Sequence, residues 1–133
     1  MKIDGQCHCG FLLYEAEISL DNVLICHCTD CQTLSGTAFR TGVLVAKDDF
    51  KLLSGEPTFY IKSTDRGKKT AQAFCPQCGS QIYATQSPEP EFYAVRSGTV
   101  RQRVELIPKF QIWTPSEQHW LSNLDTIPKM GEQ

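Results

Sequence analysis

Val23-Leu24-Ile25-Cys26-His27-Cys28-Thr29-Asp30-Cys31 is the stretch from which the rest of the chain can be read. Its short aliphatic run reads as a buried strand, and it delivers three cysteines within six residues at its carboxyl end. Beyond it, Thr29 is an expected N-cap and Gly36 an expected stop, so Thr29 to Gly36 reads as one short helical turn. The seam between a strand end and a helix start offers free amide groups that favour thiolate charge, which suits a reactive metal.

The other four cysteines fall as two close pairs, Cys7-His8-Cys9 and Cys75-Pro76-Gln77-Cys78. Zinc takes four tetrahedral thiolate or imidazole ligands; structural sites are filled by protein, and catalytic sites keep one position for water or substrate. Seven cysteines therefore divide into one complete set of four and one set of three. The fourth ligand of the smaller set is solvent, substrate or a side chain such as His27, Asp30 or His8. Disulfides are the competing use of cysteine, but an odd count and close pairs flanked by glycine or proline favour metal.

The composition sets the frame. At 133 residues, with 41% hydrophobic and 21% charged side chains, the chain is the size and make-up of a single globular domain spanning residues 1–133. A net charge of -2 gives no pull toward nucleic acid or anionic lipid. The first ten residues carry Asp4 and no continuous apolar run, so they read as neither signal peptide nor membrane span. The expected compartment is the cytoplasm.

The rest of the chain reads as strands. Gln6 to Glu17 begins in the first cysteine pair, and a regular strand there sends Cys7 and Cys9 to one face. Ala38 to Ala46, Phe50 to Leu53 and Thr58 to Lys62 have the spacing of a meander. Thr70 to Phe74 and Gln81 to Thr85 flank the second knuckle as paired strands, with Phe92 to Arg96 and Leu106 to Thr114 following. Ser63 to Lys69 is a polar loop, Ser87 to Glu91 a rigid exposed connection, and the tail from Pro115 is mostly irregular. Trp113 and Trp120 are expected to cover one end of the core.

These motifs, GQCHCG, CHCTDCQTLSG followed by AFRTGVLV, KLLSGEP, FCPQCGSQIY and VRSGT with QIW later, resemble the glutathione-dependent formaldehyde-activating (Gfa) family, a group that also contains centromere protein V. The resemblance covers most of the chain. It implies an all-β fold, a tent-like arrangement of antiparallel sheets held by a structural zinc, with minor short helices. It also implies two zinc ions per chain: Cys7, Cys9, Cys75 and Cys78 match the structural ligands, and Cys26, Cys28 and Cys31 the catalytic ones. The family's founding activity, by resemblance, is addition of glutathione to formaldehyde to give S-hydroxymethylglutathione, a carbon-sulfur lyase reaction when written in reverse. Two positions depart from the pattern: Gln32 stands where a basic residue is common, and Gln111 where a histidine is common.

Zinc held by three thiolates carries a formal charge of about -1, which makes it a poor acid toward water but a good seat for a substrate thiol. Thiol attack on an aldehyde carbonyl gives a hemithioacetal. Arg40, Lys62, Arg66, Lys68, Lys69 and Arg96 are the cations available to meet the carboxylates of glutathione. Asp30 or His27 is the candidate proton acceptor, and Ser35 and Thr33 the candidate donors to a developing oxyanion. The expected partner is a small-molecule thiol; no membrane or nucleic acid is expected, and a homodimer is compatible with the reading. Two other readings stay open: a zinc-stabilised binding module for a protein or nucleic acid, and a thiol-zinc redox sensor.

Overall fold

The computed structural model describes residues 1–132 and is built mainly of strands. Gln133, the last residue of the expected domain, lies outside the described residues. The small sheet has the order β1 (Lys2–Gln6), β2 (Leu13–Glu17), β5 (Phe50–Ser54), antiparallel throughout. The large one contains β3 (Val23–Cys26), β4 (Arg40–Ala46), β6 (Thr58–Ser63), β7 (Lys69–Phe74), β8 (Gln81–Ser87), β9 (Phe92–Arg96) and β10 (Phe110–Ile112). Its order is β10-β3-β4-β9-β8-β7-β6, antiparallel except where β10 runs parallel to β3. Helix α1 (Thr29–Ser35) follows β3 and ends at Gly36, whose φ of 68° is the left-handed cap that glycine adopts readily.

Period-two alternation fixes which side chains meet between the sheets. Ile3 and Tyr14 of the small sheet pack with Val43, Val45, Ile82 and Val95 of the large one in a single buried cluster. Phe50 joins the layers: its ring stacks on Tyr14 at 5.5 Å and on Tyr93 at 4.7 Å and meets the edge of Tyr83. The intervening residues of the large sheet face the other way. In cross-strand register, Cys26 stands opposite Ile112 and Arg40, and Gly42 stands opposite Leu24 and Arg96. Ala94 stands opposite Leu44 and Ala84, which in turn faces Gln72. This second face becomes the wall of a cavity.

Several expectations are corrected. Ala38 to Lys62 is not a meander, because β5 leaves the large sheet and pairs with β2. Lys2–Gln6 is a strand, and Cys7 and Cys9 stand on the turn after it rather than in a strand. Only Phe110–Ile112 of Leu106 to Thr114 is extended. Trp113 and Trp120 do not cover the core: they are 65% and 48% exposed. No helix among the described residues is long and apolar enough to cross a membrane.

Candidate metal centres

Cys7 and Cys9 lie on the turn between β1 and β2, and Cys75 and Cys78 on the turn between β7 and β8. The two turns are built alike. The Gly10 amide donates to Cys7 O at 3.1 Å and the Gly79 amide to Cys75 O at 2.9 Å. Both glycines take a positive φ, 83° and 78°. The four sulfurs lie within 4.8 Å of one another. Amides of Leu12 and Gln77 point at Cys7 Sγ (3.2 Å) and Cys75 Sγ (3.4 Å), contacts that favour ionised sulfur. Ser80, which the sequence reading did not single out, links the turns: its hydroxyl accepts from the His8 amide and lies 3.3 Å from Cys78 Sγ. That hydroxyl and the Ser80 amide pull the Cys78 thiol down to about 5.

The second group is local in sequence. Cys26 ends β3, Cys31 lies in the first turn of α1, and Cys28 is the N-cap, its sulfur accepting from the Cys31 amide at 3.2 Å. Thr29, the expected cap, is the first helical residue instead. The three sulfurs also lie within 4.8 Å of one another. Hydrogen bonding from Cys31 lowers the Cys26 thiol, whereas the same bond raises Cys31 and burial raises Cys28. Crowded thiols oppose one another's ionisation, and a dication offsets that opposition. Both all-sulfur sets therefore fit a soft or borderline metal of the zinc type.

None of the three candidate protein ligands joins the smaller group among the described residues. The His27 ring is buried and its Nε2 pairs with Gln111 Oε1 at 2.6 Å. Asp30 is bound to Lys62 at 2.6 Å. His8 belongs to the turn that carries the four-cysteine set. The two departures from the family pattern both engage His27, since Gln32 Nε2 donates to His27 O at 2.8 Å as well as to Ser116 O at 3.0 Å. These contacts strap β10 and the segment after it across the cysteine loop.

Cys26 and Cys31 open onto a cavity of about 340 Å³ on the outer face of the large sheet. Of the six candidate cations, Arg40, Lys62 and Arg96 line it; Arg66, Lys68 and Lys69 do not. Asp30 lines it too, but of the candidate oxyanion donors, Thr33 is exposed and Ser35 donates to Cys31 O at 2.6 Å. Gln72, absent from the sequence reading, accepts from both arginines. Burial and then the Arg40 charge pull the Arg96 guanidinium down to about 9, which leaves it cationic at neutral pH.

A two-sheet β domain carrying one four-sulfur and one three-sulfur group, each able to hold a metal ion, defines a class of cysteine-rich protein. A family profile described as glutathione-dependent formaldehyde-activating enzyme matches residues 2–116, and the chain belongs to that family. The fold is shared with a crystal structure of a Rhodobacter sphaeroides protein at a TM-score of 0.64. That protein is 21% identical, and the match covers 81% of this chain and 98% of the other.

Proposed function

We propose that this protein catalyses the reversible addition of a thiol to a small aldehyde, a carbon-sulfur lyase activity of the S-hydroxymethylglutathione synthase kind. In this reading Cys7, Cys9, Cys75 and Cys78 hold a structural zinc, and Cys26, Cys28 and Cys31 hold a catalytic one. Membership of a glutathione-dependent family supports glutathione as the thiol and formaldehyde as the aldehyde. The observation that carries the proposal is a three-sulfur group that faces a cavity and is joined by no histidine or carboxylate among the described residues.

An ion held by Cys26, Cys28 and Cys31 would supply a Lewis-acidic seat that keeps a thiol ionised at neutral pH. The chain's own residues do the rest. The cavity wall, from Leu24 to Ile112, keeps water from competing with sulfur for the carbonyl carbon. Asp30, on that wall and held by Lys62, takes the proton that the thiol gives up and returns it to the carbonyl oxygen. One carbon-sulfur bond and one O–H bond form, the S–H bond and the carbonyl π bond are lost, and no oxidant or reductant is needed.

The test compares Cys28→Ser with the intact zinc-loaded protein by following exchange between formaldehyde and its glutathione adduct in NMR. Serine is a strong N-cap, so the variant keeps the helix start while losing a sulfur ligand. The expected result is exchange reduced to the uncatalysed rate with the fold retained; full activity in Cys28→Ser contradicts the proposal.

A further inference from the structure

Arg40 and Arg96 line two cavities at once, the one of about 340 Å³ beside Cys26 and Cys31 and one of about 430 Å³ walled also by Ser35, Gly79, Ser80 and Thr99. In sheet register Arg40 stands directly across from Cys26, and Arg96 stands across from Gly42, two places further along the same face. Side chains directly opposite one another hold their Cβ atoms about 5 Å apart. The arginine pair is therefore a neighbour of the three-sulfur group.

Neither guanidinium has its donors filled. Arg40 is 7% exposed, yet its Nε and Nη2 have no hydrogen-bond partner, and Arg96 Nε is likewise buried without one. Arg40 Nη1 donates to Gln72 Oε1 at 3.3 Å, and Arg96 Nη2 donates to the same oxygen at 3.0 Å. Gln72 in turn donates its Nε2–H to Thr70 Oγ1 at 3.1 Å, so one neutral amide is all that the two cations share. The other charges on the lining, Asp30 and Lys62, are spent on each other at 2.6 Å, and no ion pair among the described residues involves either arginine.

Buried guanidinium N–H groups are costly unless an anion meets them. A zinc on three thiolates, with a net charge of about -1, offsets one of the two arginines. One positive charge remains, in a planar fork that suits a carboxylate. Glutathione brings two carboxylates, and they are not equivalent. The γ-glutamyl carboxylate shares its carbon with an ammonium, which a pair of arginines repels. The glycyl carboxylate has no such companion and lies fewer bonds from the sulfur, so it is the group that matches a cationic fork placed beside the cysteines.

Resting on the thiol-addition reading, we infer that Arg40 and Arg96 are the seat of the glycyl carboxylate of glutathione. The carboxylate lies across both guanidinium groups, Gln72 keeps the two together, and the thiol is directed at Cys26, Cys28 and Cys31. The inference deepens the functional reading by naming, among the cations of the chain, the two that recognise the tripeptide and the end of it that they hold.

Calorimetric titration of the zinc-loaded protein with glutathione, its glycinamide analogue and γ-aminobutyryl-cysteinylglycine tests it. The glycinamide keeps the shape of glutathione and loses the glycyl charge; the γ-aminobutyryl peptide keeps that charge and loses the other carboxylate. The glycinamide should bind on the order of 30-fold more weakly than glutathione, the worth of a charge-assisted hydrogen bond or two. The γ-aminobutyryl peptide should lose less than the glycinamide does, and Arg40→Gln and Arg96→Gln should each remove most of the difference between glutathione and its glycinamide. Equal binding of those two by the intact protein overturns the inference whether or not the variants fold. A glycinamide penalty undiminished by both substitutions overturns it too, as does a γ-aminobutyryl peptide that binds no better than the glycinamide. The thiol-addition reading fails separately: glutathione would keep its advantage over the glycinamide while its exchange with formaldehyde stayed at the uncatalysed rate.

Discussion

The two cysteine groups place the same atom type in opposite settings. In the four-cysteine group, sulfurs 66 residues apart in sequence approach to 3.7 Å, bringing the β1–β2 turn of one sheet against the β7–β8 turn of the other. In the three-cysteine group all ligand candidates come from Cys26 to Cys31, within one strand end and one helix start. Chain entropy separates the two. If a metal cross-link is treated like a disulfide, closing a loop of the first kind stabilises the fold by about 4 kcal/mol and closing one of the second by about 2 kcal/mol. The first group can fasten layers together; the second adds little to the fold and is free to face a cavity.

The comparison is most easily broken through Cys78. Cys78→Ser should lower unfolding free energy by about 4 kcal/mol, a large part of the stability of a domain this size, as read by urea titration. A loss no greater than that of Cys28→Ser would erase the distinction between the two groups.

Alkaline titration sharpens it. Burial raises the Tyr14 hydroxyl to about 12, while its oxygen lies 2.8 Å from Thr99 Oγ1. A folded-state value above the unfolded one, about 10, means the contribution is complete below pH 10 and is lost as pH rises through 12. Tyr14 should therefore take on the order of 2–3 kcal/mol of stability across that window. Burial raises Tyr83 to about 12 as well, so Tyr14→Phe should remove the Tyr14 share of the dependence and leave that of Tyr83. Tyr14 lies between the sheets that the four-cysteine group would fasten, so this loss should add to that of Cys78→Ser.

Cys28→Ser should cost about 2 kcal/mol or less, because the cap is conserved and the loop it closes is short. Smallest is Gln111→Leu. It leaves His27 Nε2 buried without its partner and loosens the strap over the cysteine loop, at about 1 kcal/mol or somewhat more by thermal denaturation.

What the sequence made legible follows from the range of the forces involved. β3, α1 and the strands flanking Cys75 and Cys78 are announced by a short aliphatic run, a left-handed glycine and knuckle spacing, and they stand where those signals put them. Lys2–Gln6 was missed because Asp4 and Gly5 interrupt its apolar pattern. Glycine is required there, since a Cβ at Gly5 would run into the Tyr14 ring and Thr99 O. The crossing of β5 to the small sheet is a matter of pairing partners, which alternation does not encode. Trp113 reads as core by residue type, yet it sits at φ 58° just beyond an edge strand, turned to solvent.

The candidate site divides the same way. Both cysteine sets could be grouped from spacing, because each half of a set is a contiguous motif. The cationic seat could not: Gln72 meets Arg40 across 32 residues and Arg96 across 24, through sheet register alone. Six cations looked equivalent in sequence; the outer face of the large sheet selects three.

Zinc content measured alongside far-ultraviolet circular dichroism tests the central asymmetry most directly. On titration with a mild chelator, the protein is predicted to give up one of two zinc ions while its β-sheet spectrum persists, and Cys28→Ser is predicted to start with one. Loss of both ions together with the spectrum, or retention of both against chelator concentrations that strip exposed sites, would contradict the account.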